Sequence, residues 1–173
     1  MRFEGMLEGN GIFLRQMNTS DITPEFMGWL HDPEVNKFLD VRHNLPDLNK
    51  QLAYVEQCSS SPNKIYFGIF RSESFLIGSS TISVHNGEKV EIGIMIGDKS
   101  SLGRGFGSEA VGLLIQWAKQ AKFVEITAGY SLENIASAKL FARHGFKTYH
   151  ETSDSSTVGG KQDIVRTSLS LRA

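Results

Sequence analysis

The chain has 173 residues, of which 40 % are hydrophobic and 21 % are charged. This composition is typical of one soluble globular domain with a single core, and it argues against a disordered or fibrous protein. The net charge of −1 argues against binding nucleic acid or an anionic membrane through general positive charge. We therefore expect residues 1–173 to form a single domain.

The sequence shows few signs of export. Its single cysteine, Cys58, has no partner for an internal disulfide, which suits a reducing compartment. No apolar run approaches the ~20 residues of a membrane span, and Glu4 and Glu8 stand where a signal peptide would need an apolar stretch. The five histidines lack the spacing of metal ligands. We expect a cytoplasmic protein without a membrane partner or a metal site.

In chain order, the first part of the sequence predicts one strand and then helical segments. A short strand is expected over 11–17. Thr23, followed by a proline, predicts the start of a helix that ends near His31. Asp32 and Asp47 indicate the starts of a short helical turn and of a third helix.

The middle of the chain predicts a β meander. Residues 65–70 and 75–84 are expected to be strands joined by a polar turn. Asn86 and Gly87 form a strong hairpin signal, because both residues tolerate a positive φ. The next predicted strand, 89–97, alternates branched apolar residues with less apolar ones, so only one of its faces is expected to pack against a core.

The last part of the chain alternates helices and strands. Gly145 is suited to the left-handed cap at the end of a helix. A polar loop over 153–161 separates the last two strands. The expected elements are a helix over 107–121, a strand over 123–130, a helix over 134–144, and strands over 146–152 and 164–171. This order predicts an α+β fold with a mixed, partly antiparallel sheet.

The stretch LGRGFGSEA, residues 102–110, lies between a predicted strand and a predicted helix. The free N–H groups and the positive dipole end of a helix N-terminus attract an anion. Alternate glycines let the backbone approach a ligand closely, and Arg104 adds a charged donor. The window 99–143 also holds six basic residues against three acidic ones. The pattern predicts a site for the phosphates of a nucleotide.

Other interpretations of this stretch fit less well. A glycine-rich turn without a ligand stays open, although three alternate glycines exceed what a turn needs. The Walker-type phosphate loop is excluded, because no Gly-Lys-Ser/Thr follows. A dinucleotide-dependent oxidoreductase fits poorly, since the spacing is GxGxG and since Asp98 to Leu102 separate it from the strand. Binding of NADH would support that minor alternative.

Three motifs resemble the GNAT superfamily of acetyl-CoA-dependent N-acetyltransferases. The family's Gln/Arg-x-x-Gly-x-Gly/Ala loop falls on 102–107, where Leu102 departs from the usual Gln or Arg. GRGFGSEA is also similar to a motif of the branch that contains the ribosomal-protein N-terminal acetyltransferases. NIASAKLFARHGF, residues 134–146, resembles the family's later helix, and EIGIMIG, residues 91–97, resembles the branch's Glu-Ile-Gly strand.

The resemblance implies a single-domain GNAT fold: a mixed, mostly antiparallel sheet with flanking helices, in which strands 89–97 and 123–130 run parallel and splay apart. It implies acetyl-CoA as co-substrate, with its arm paired to the backbone near Met95 and Ile96 and its pyrophosphate on the glycine loop. The expected cofactor-binding residues are Met95, Ile96, Leu102, Gly103, Arg104, Gly105, Phe106, Gly107, Ser108 and Asn134.

For catalysis, we expect Glu91 to act as the general base, directly or through water; an ordinary ion-paired glutamate is the alternative. A main-chain N–H near Met95 is the expected oxyanion donor. The family's usual acid, a tyrosine, should fall at Phe141, which removes that candidate. Ser137 could protonate the leaving sulfur, or it could only contact the coenzyme arm or pack.

The acceptor is expected to bind to segment 28–47, through Trp29, Asn36 and Arg42, and to Tyr130. The segment resembles that of GNAT enzymes encoded with surface-polysaccharide genes, whose acceptors are nucleotide-linked amino sugars, so we favour a small-molecule amine. The branch would instead suggest the N-terminus of a ribosomal protein. A CoA-binding module without turnover is the other alternative, and a homodimer is common in the resembling branch.

Overall fold

The computed structural model describes residues 3–72, 75–154 and 162–172. Within them, one sheet has the strand order β1-β2-β3-β4-β5-β6-β8-β7. The strands are β1 (Leu7–Glu8), β2 (Phe13–Gln16), β3 (Lys64–Ser72), β4 (Phe75–His85), β5 (Lys89–Ile96), β6 (Glu125–Ser131), β7 (Lys147–Asp154) and β8 (Gln162–Ser170). The helices are α1 (Pro24–His31), α2 (Pro33–Asn36), α3 (Leu48–Ser60), α4 (Phe106–Gln120) and α5 (Ile135–Arg143).

The predicted helix starts are confirmed by their caps. The side chain of Thr23 accepts a hydrogen bond from the Phe26 N–H at 3.2 Å. Asp32 and Asp47 accept from the amides of Glu34 and Lys50 at 2.9 and 2.8 Å. These bonds satisfy N–H groups that the first turn of a helix otherwise leaves unpaired.

Two turns also follow the sequence signals. Asn86 and Gly87 have positive φ in the β4–β5 hairpin, and Gly145 has a φ of 82° after α5.

The expected strand over 123–130 begins later, at Glu125, because Lys122 takes a positive φ and the Phe123 N–H still bonds to Ala118 O at the end of α4. Strand β1 and the 3-10 turns at Thr19–Asp21, Asp40–His43 and Lys99–Ser101 were not predicted. The polar loop expected over 153–161 lies mostly outside the described residues.

The sheet separates two hydrophobic cores. Alternation along β5 sends Val90 and Ile92 into one core and Met95 into the other. The first core is covered by α4 and by Phe141 of α5. The second lies under α1 and α3 and includes Phe26, Trp29, Leu30, Val55, Cys58 and Tyr66. None of the helices in the described part of the chain is long and apolar enough to cross a membrane.

Strands β5 and β6 form the parallel pair of the sheet, and they pair over a short length. Their register covers Lys89–Glu91 against Glu125–Thr127. Beyond these residues, β5 continues to pair with β4 as far as Ile96, and β6 continues to pair with β8 as far as Ser131. Each strand therefore keeps its outer neighbour while the two inner edges separate. This confirms the splayed pair and the mostly antiparallel sheet expected from the resemblance.

The end of β5 rests on a tryptophan of the second core. A Cβ atom on Gly97 would lie 2.2 Å from Cδ2 of Trp29, so the indole packs directly on the glycine backbone. The Trp29 ring also makes an edge contact with Phe26, with 5.7 Å between centroids. The closeness of Trp29 and Gly97 anchors α1 to the strand end that leads into the glycine loop.

Gly97→Ala should destabilise the fold, because the added methyl group forces Trp29 to move. We expect the free energy of unfolding to fall by about 1–3 kcal/mol, measured by urea denaturation. Gly28→Ala in α1 is the matched control, since its Cβ meets no atom within 4 Å; it should raise stability by about 0.5–1 kcal/mol. Equal effects of the two substitutions would contradict the close packing on Trp29.

Candidate active site

The glycine loop presents free donors at the start of α4. Gly103 and Gly105 have φ values of 71° and 86°, in the left-handed region that strains other residues. Within the described residues, the N–H groups from Gly103 to Ser108 have no hydrogen-bond acceptor, and no side chain caps the helix. The loop therefore offers a series of unpaired amides at the positive end of a helix dipole, which fits the phosphates of a nucleotide.

Two guanidinium groups flank this loop. Arg104 Cζ lies 5.5 Å and Arg71 Cζ 5.3 Å from the ring centroid of Phe106. No local pattern in the sequence marks Arg71, because only the placement of the end of β3 beside α4 brings it there. Glu109, in the first turn of α4, is engaged elsewhere: its Oε1 accepts from the Gly11 N–H at 3.0 Å and from that of Asn10. This carboxylate thus fixes the β1–β2 turn to α4.

A cleft of about 710 Å³ extends from the glycine loop along the end of β5 to the start of α5. Its walls come from the end of β5, the start of α5 and residues 34–39. Leu102 and Gly107 lie at its loop end, and Asn134 and Ser137 at its α5 end. We call it the coenzyme cleft.

The backbone pattern of β5 decides which amides face this cleft. The Gly97 N–H donates to Ile77 O at 2.9 Å, and the Ser80 hydroxyl donates to Gly93 O at 2.6 Å, so both residues direct their main chain toward β4. Because bonded pairs alternate in an antiparallel ladder, Met95 also faces β4, while Ile94 and Ile96 face the opening. The main-chain groups available to a coenzyme arm are thus those of Ile94 and Ile96.

A second cleft, of about 510 Å³, lies next to the coenzyme cleft. It shares Leu39, Ile94 and Met95 with the coenzyme cleft. Its other walls are the loop 40–46, the α3 residues Lys50, Gln51 and Tyr54, and side chains of β3 and β4. We call it the acceptor cleft, since two ligands in the two clefts would meet at β5.

Four hydroxyl side chains of β3 and β4, Tyr66, Ser79, Ser80 and Thr81, lie in the otherwise mostly apolar acceptor cleft. The Tyr66 hydroxyl donates to Ser79 Oγ at 3.3 Å, and Thr81 and Gly93 complete the floor beside them. Burial raises the pKa of Tyr66 far above the usual range of tyrosine, so its phenol stays neutral. Among the described lining residues, one carboxylate, Asp40, and one ammonium, Lys50, carry charge.

The predicted acceptor residues mostly support the clefts rather than line them. Segment 28–47 does contribute to both clefts, but Trp29 is buried in the second core and the Asn36 amide donates to Leu30 O at 2.7 Å. Arg42 bonds to Lys37 O and His43. Tyr130 stacks on Phe141, with 5.8 Å between centroids. Their role in binding an acceptor stays a prediction, and these contacts favour a supporting role.

The predicted catalytic residues lie in different surroundings. Ser137 lines the coenzyme cleft, where its N–H donates to the capping side chain of Asn134 at 3.0 Å. Glu91 lies outside both clefts, in a third one of about 510 Å³, and its carboxylate pairs with Arg166 at 2.9 Å and His85 at 3.3 Å. The base role of Glu91 stays a prediction; its ion pair with Arg166 favours the alternative. Phe141 is buried and has no acidic group to offer.

The chain is similar to known proteins over most of its length. The chain is 30 % identical over 146 residues to an uncharacterized protein of Methanocaldococcus jannaschii, an alignment that covers 81 % of this chain and 29 % of that protein. The chain thus spans less than a third of the length of this curated relative. The family model of the GNAT acetyltransferase domain matches residues 12–147.

Two solved structures with bound coenzyme A have the same fold. The ribosomal L7/L12 alpha-N-protein acetyltransferase RimL aligns with a TM-score of 0.83 at 15 % identity, covering 96 % of this chain and 98 % of that one. Spermidine N-acetyltransferase from Vibrio cholerae, in complex with CoA and spermine, aligns with a TM-score of 0.82 at 14 % identity, covering 93 % and 96 %. The predicted fold is confirmed.

The family match includes β5, the glycine loop, α4 and α5, which are the elements that build the coenzyme cleft. It confirms the predicted resemblance to GNAT acetyltransferases. On this match, which extends over more than three quarters of its residues, the chain belongs to the GNAT acetyltransferase family.

Proposed function

We propose that this domain transfers the acetyl group of acetyl-CoA directly to the primary amine of a small hydroxylated molecule, such as an amino sugar or a nucleotide-linked amino sugar. The observation that supports this most is the meeting of the two clefts at Leu39, Ile94 and Met95. A thioester on one side and an amine on the other would be held in contact there, and positioning alone can supply much of the rate.

The chain's own groups have separable roles in this proposal. Acetyl-CoA supplies the activated acetyl group. The amides from Gly103 to Ser108 and Arg104 would hold its diphosphate, and the main chain of Ile94 and Ile96 would pair with its arm. The Ile94 N–H then replaces that of Met95 as the expected oxyanion donor, since Met95 belongs to the β4 ladder.

Two residues that line the clefts are candidates for proton transfer, Asp40 and Ser137. The acceptor must reach the site as a neutral amine, because an ammonium group has no lone pair. Asp40 is the carboxylate among the described residues of the acceptor cleft and could take that proton directly or through water. Ser137, in the coenzyme cleft, stays the predicted acid for the leaving sulfur.

The lining of the acceptor cleft supports a hydroxylated acceptor with little charge. Its floor offers the hydroxyls of Tyr66, Ser79 and Thr81, which both donate and accept hydrogen bonds. A polyamine such as the spermine of the Vibrio cholerae complex carries several positive charges. One carboxylate, Asp40, and the nearby Lys50 are poorly matched to such a ligand.

A screen of thiol release from acetyl-CoA tests the proposed acceptor class. The panel would contain amino sugars, nucleotide-linked amino sugars, polyamines and N-terminal peptides of ribosomal proteins. We expect turnover with the first two classes. Turnover confined to peptides would favour the N-terminal acetyltransferase alternative, and tight CoA binding without turnover would favour a non-catalytic module. A cytoplasmic location and a homodimer stay predictions.

Gly105→Ala should weaken coenzyme A binding by about five- to thirtyfold, because alanine favours another φ by about 1–2 kcal/mol and the relaxed loop must return to the φ of 86° to present its amides. Isothermal titration calorimetry with coenzyme A measures this loss. Gly112→Ala, in the interior of α4, is the control, since its Cβ meets one ordinary contact at 3.6 Å. Unchanged affinity in the Gly105 variant would argue against phosphate binding by this loop.

Tyr66→Phe should raise the KM for the acceptor by about two- to tenfold, because the neutral hydroxyl at Ser79 is lost from the cleft floor. The KM for acetyl-CoA should not change, since Tyr66 does not line the coenzyme cleft. Steady-state kinetics with both substrates varied separate the two values. Tyr149→Phe, in the third cleft, is the control. A rise in the KM for acetyl-CoA alone would contradict the assignment of the two clefts.

A further inference from the structure

We propose that the Glu91–Arg166 ion pair is a strap across the opening between β5 and β6, so that both residues act as positioning residues for acetyl-CoA. The proposal rests on the proposed function, in which the opening between β5 and β6 holds the coenzyme arm. It assigns a role to a charged pair that lines neither the coenzyme cleft nor the acceptor cleft.

The strap lies where the two strands begin to separate. Glu91 and Thr127 are the last residues of β5 and β6 in register with one another. Arg166 belongs to β8, where it is paired with Gly129, two positions beyond Thr127 on the separating arm of β6. Its Nη1 nevertheless reaches Glu91 Oε1 at 2.9 Å. The pair therefore crosses β6 and connects β5, on one side of the opening, to β8, on the other side.

The sequence of β6 makes room for this connection. A Cβ atom on Gly129 would lie 2.8 Å from Nη1 of Arg166 and 3.4 Å from its Cζ. The guanidinium group therefore lies directly over the glycine backbone on its way to Glu91. This contact is also distinct from a local ion pair, because the two partners lie on strands that are not neighbours in the sheet.

A second ion pair nearby lacks this geometry. Lys89 Nζ and Glu125 Oε2 connect β5 and β6 at 2.5 Å, but these residues are opposite one another in the paired region, where hydrogen bonds already fix the spacing. Both pairs line the same third cleft, with His85, Thr127, Tyr149 and Ser168. Removing the Lys89 pair therefore changes charge on the same surface without touching the opening.

The expected effect is modest, because the side chains of Glu91 and Arg166 remain 36 % and 40 % exposed. Ion pairs at such exposure contribute at most about a fivefold factor. We expect coenzyme A to bind about two- to fivefold more weakly to Glu91→Gln and to Arg166→Gln, with a similar rise in the KM for acetyl-CoA and little change in kcat. The charge-reversed double variant E91R/R166E should recover most of the lost affinity.

Isothermal titration calorimetry with coenzyme A on the whole chain tests the proposal, with K89Q and E125Q as matched controls that should bind like the wild type. Gly129→Ala is a second route, because it displaces Arg166 while keeping both charges; it should weaken binding to a similar degree. If the wild type binds coenzyme A and all of these variants bind it equally well, the strap is wrong while the proposed function stands. A wild type that binds no coenzyme A overturns both.

The pH–rate profile distinguishes the strap from the base role predicted for Glu91. A base predicts that Glu91→Gln lowers kcat and alters the profile while the Kd for coenzyme A is unchanged. If the ion pair is a strap, Glu91→Gln raises the Kd for coenzyme A, leaves the pH–rate profile unchanged, and is rescued by charge reversal. Loss of kcat without loss of affinity, or a double variant no better than the single ones, would overturn the strap.

Discussion

The separation of β5 from β6 after three paired residues is the constraint on which the site depends. Main-chain N–H and C=O groups left unpaired in a protein interior cost free energy, so a sheet rarely opens in its middle. Here the opening is sustained because β4 pairs with β5 to its end and β8 pairs with β6 to its end. The inner groups of Ile94 and Ile96 are thereby available to a ligand that can pair as a strand would.

The elements around the opening are held by contacts that make no use of a ligand. Trp29 packs on Gly97 where β5 ends, and Asp32 of the α1–α2 junction pairs with Lys99 at 2.7 Å in the turn that follows. On the far side, Glu109 ties the β1–β2 turn to the first turn of α4. The glycine loop is thus fixed at both ends while its amides stay unpaired, which is the preorganisation that anion binding needs.

The same fold serves enzymes that act on different amines, so the acceptor must be decided by the cleft and not by the architecture. In this chain the loop 40–46, α3 and the hydroxyl groups of β3 and β4 form that cleft. Its environment is weakly charged, because the phenol of Tyr66 is neutral and, among the described lining residues, only Asp40 and Lys50 carry charge. The third cleft, with its paired charges, lies on the same sheet, and in our proposal it acts through the spacing of β5 and β6.

By itself, the sequence determined the elements whose signals are local. The caps of Thr23, Asp32 and Asp47, the Asn86-Gly87 turn and the glycine loop depend on neighbouring residues, and the structure contains them as predicted. The family and the coenzyme class followed from the motifs that surround that loop.

Only the tertiary structure decided which side chains meet. Arg71 of β3 reaches Phe106 of α4, and Glu91 of β5 reaches Arg166 of β8 across β6; both contacts join elements that are distant in the chain. The main-chain N–H and C=O of Met95 face β4, and those of Ile94 face the opening. Hydrogen bonding alternates along a strand, and the sequence of one strand does not show which residues bond to which neighbour. Trp29 and Asn36 are buried by packing and hydrogen bonding that the sequence of their own segment does not show, because the pattern of polar and apolar residues indicates a face and not its contacts.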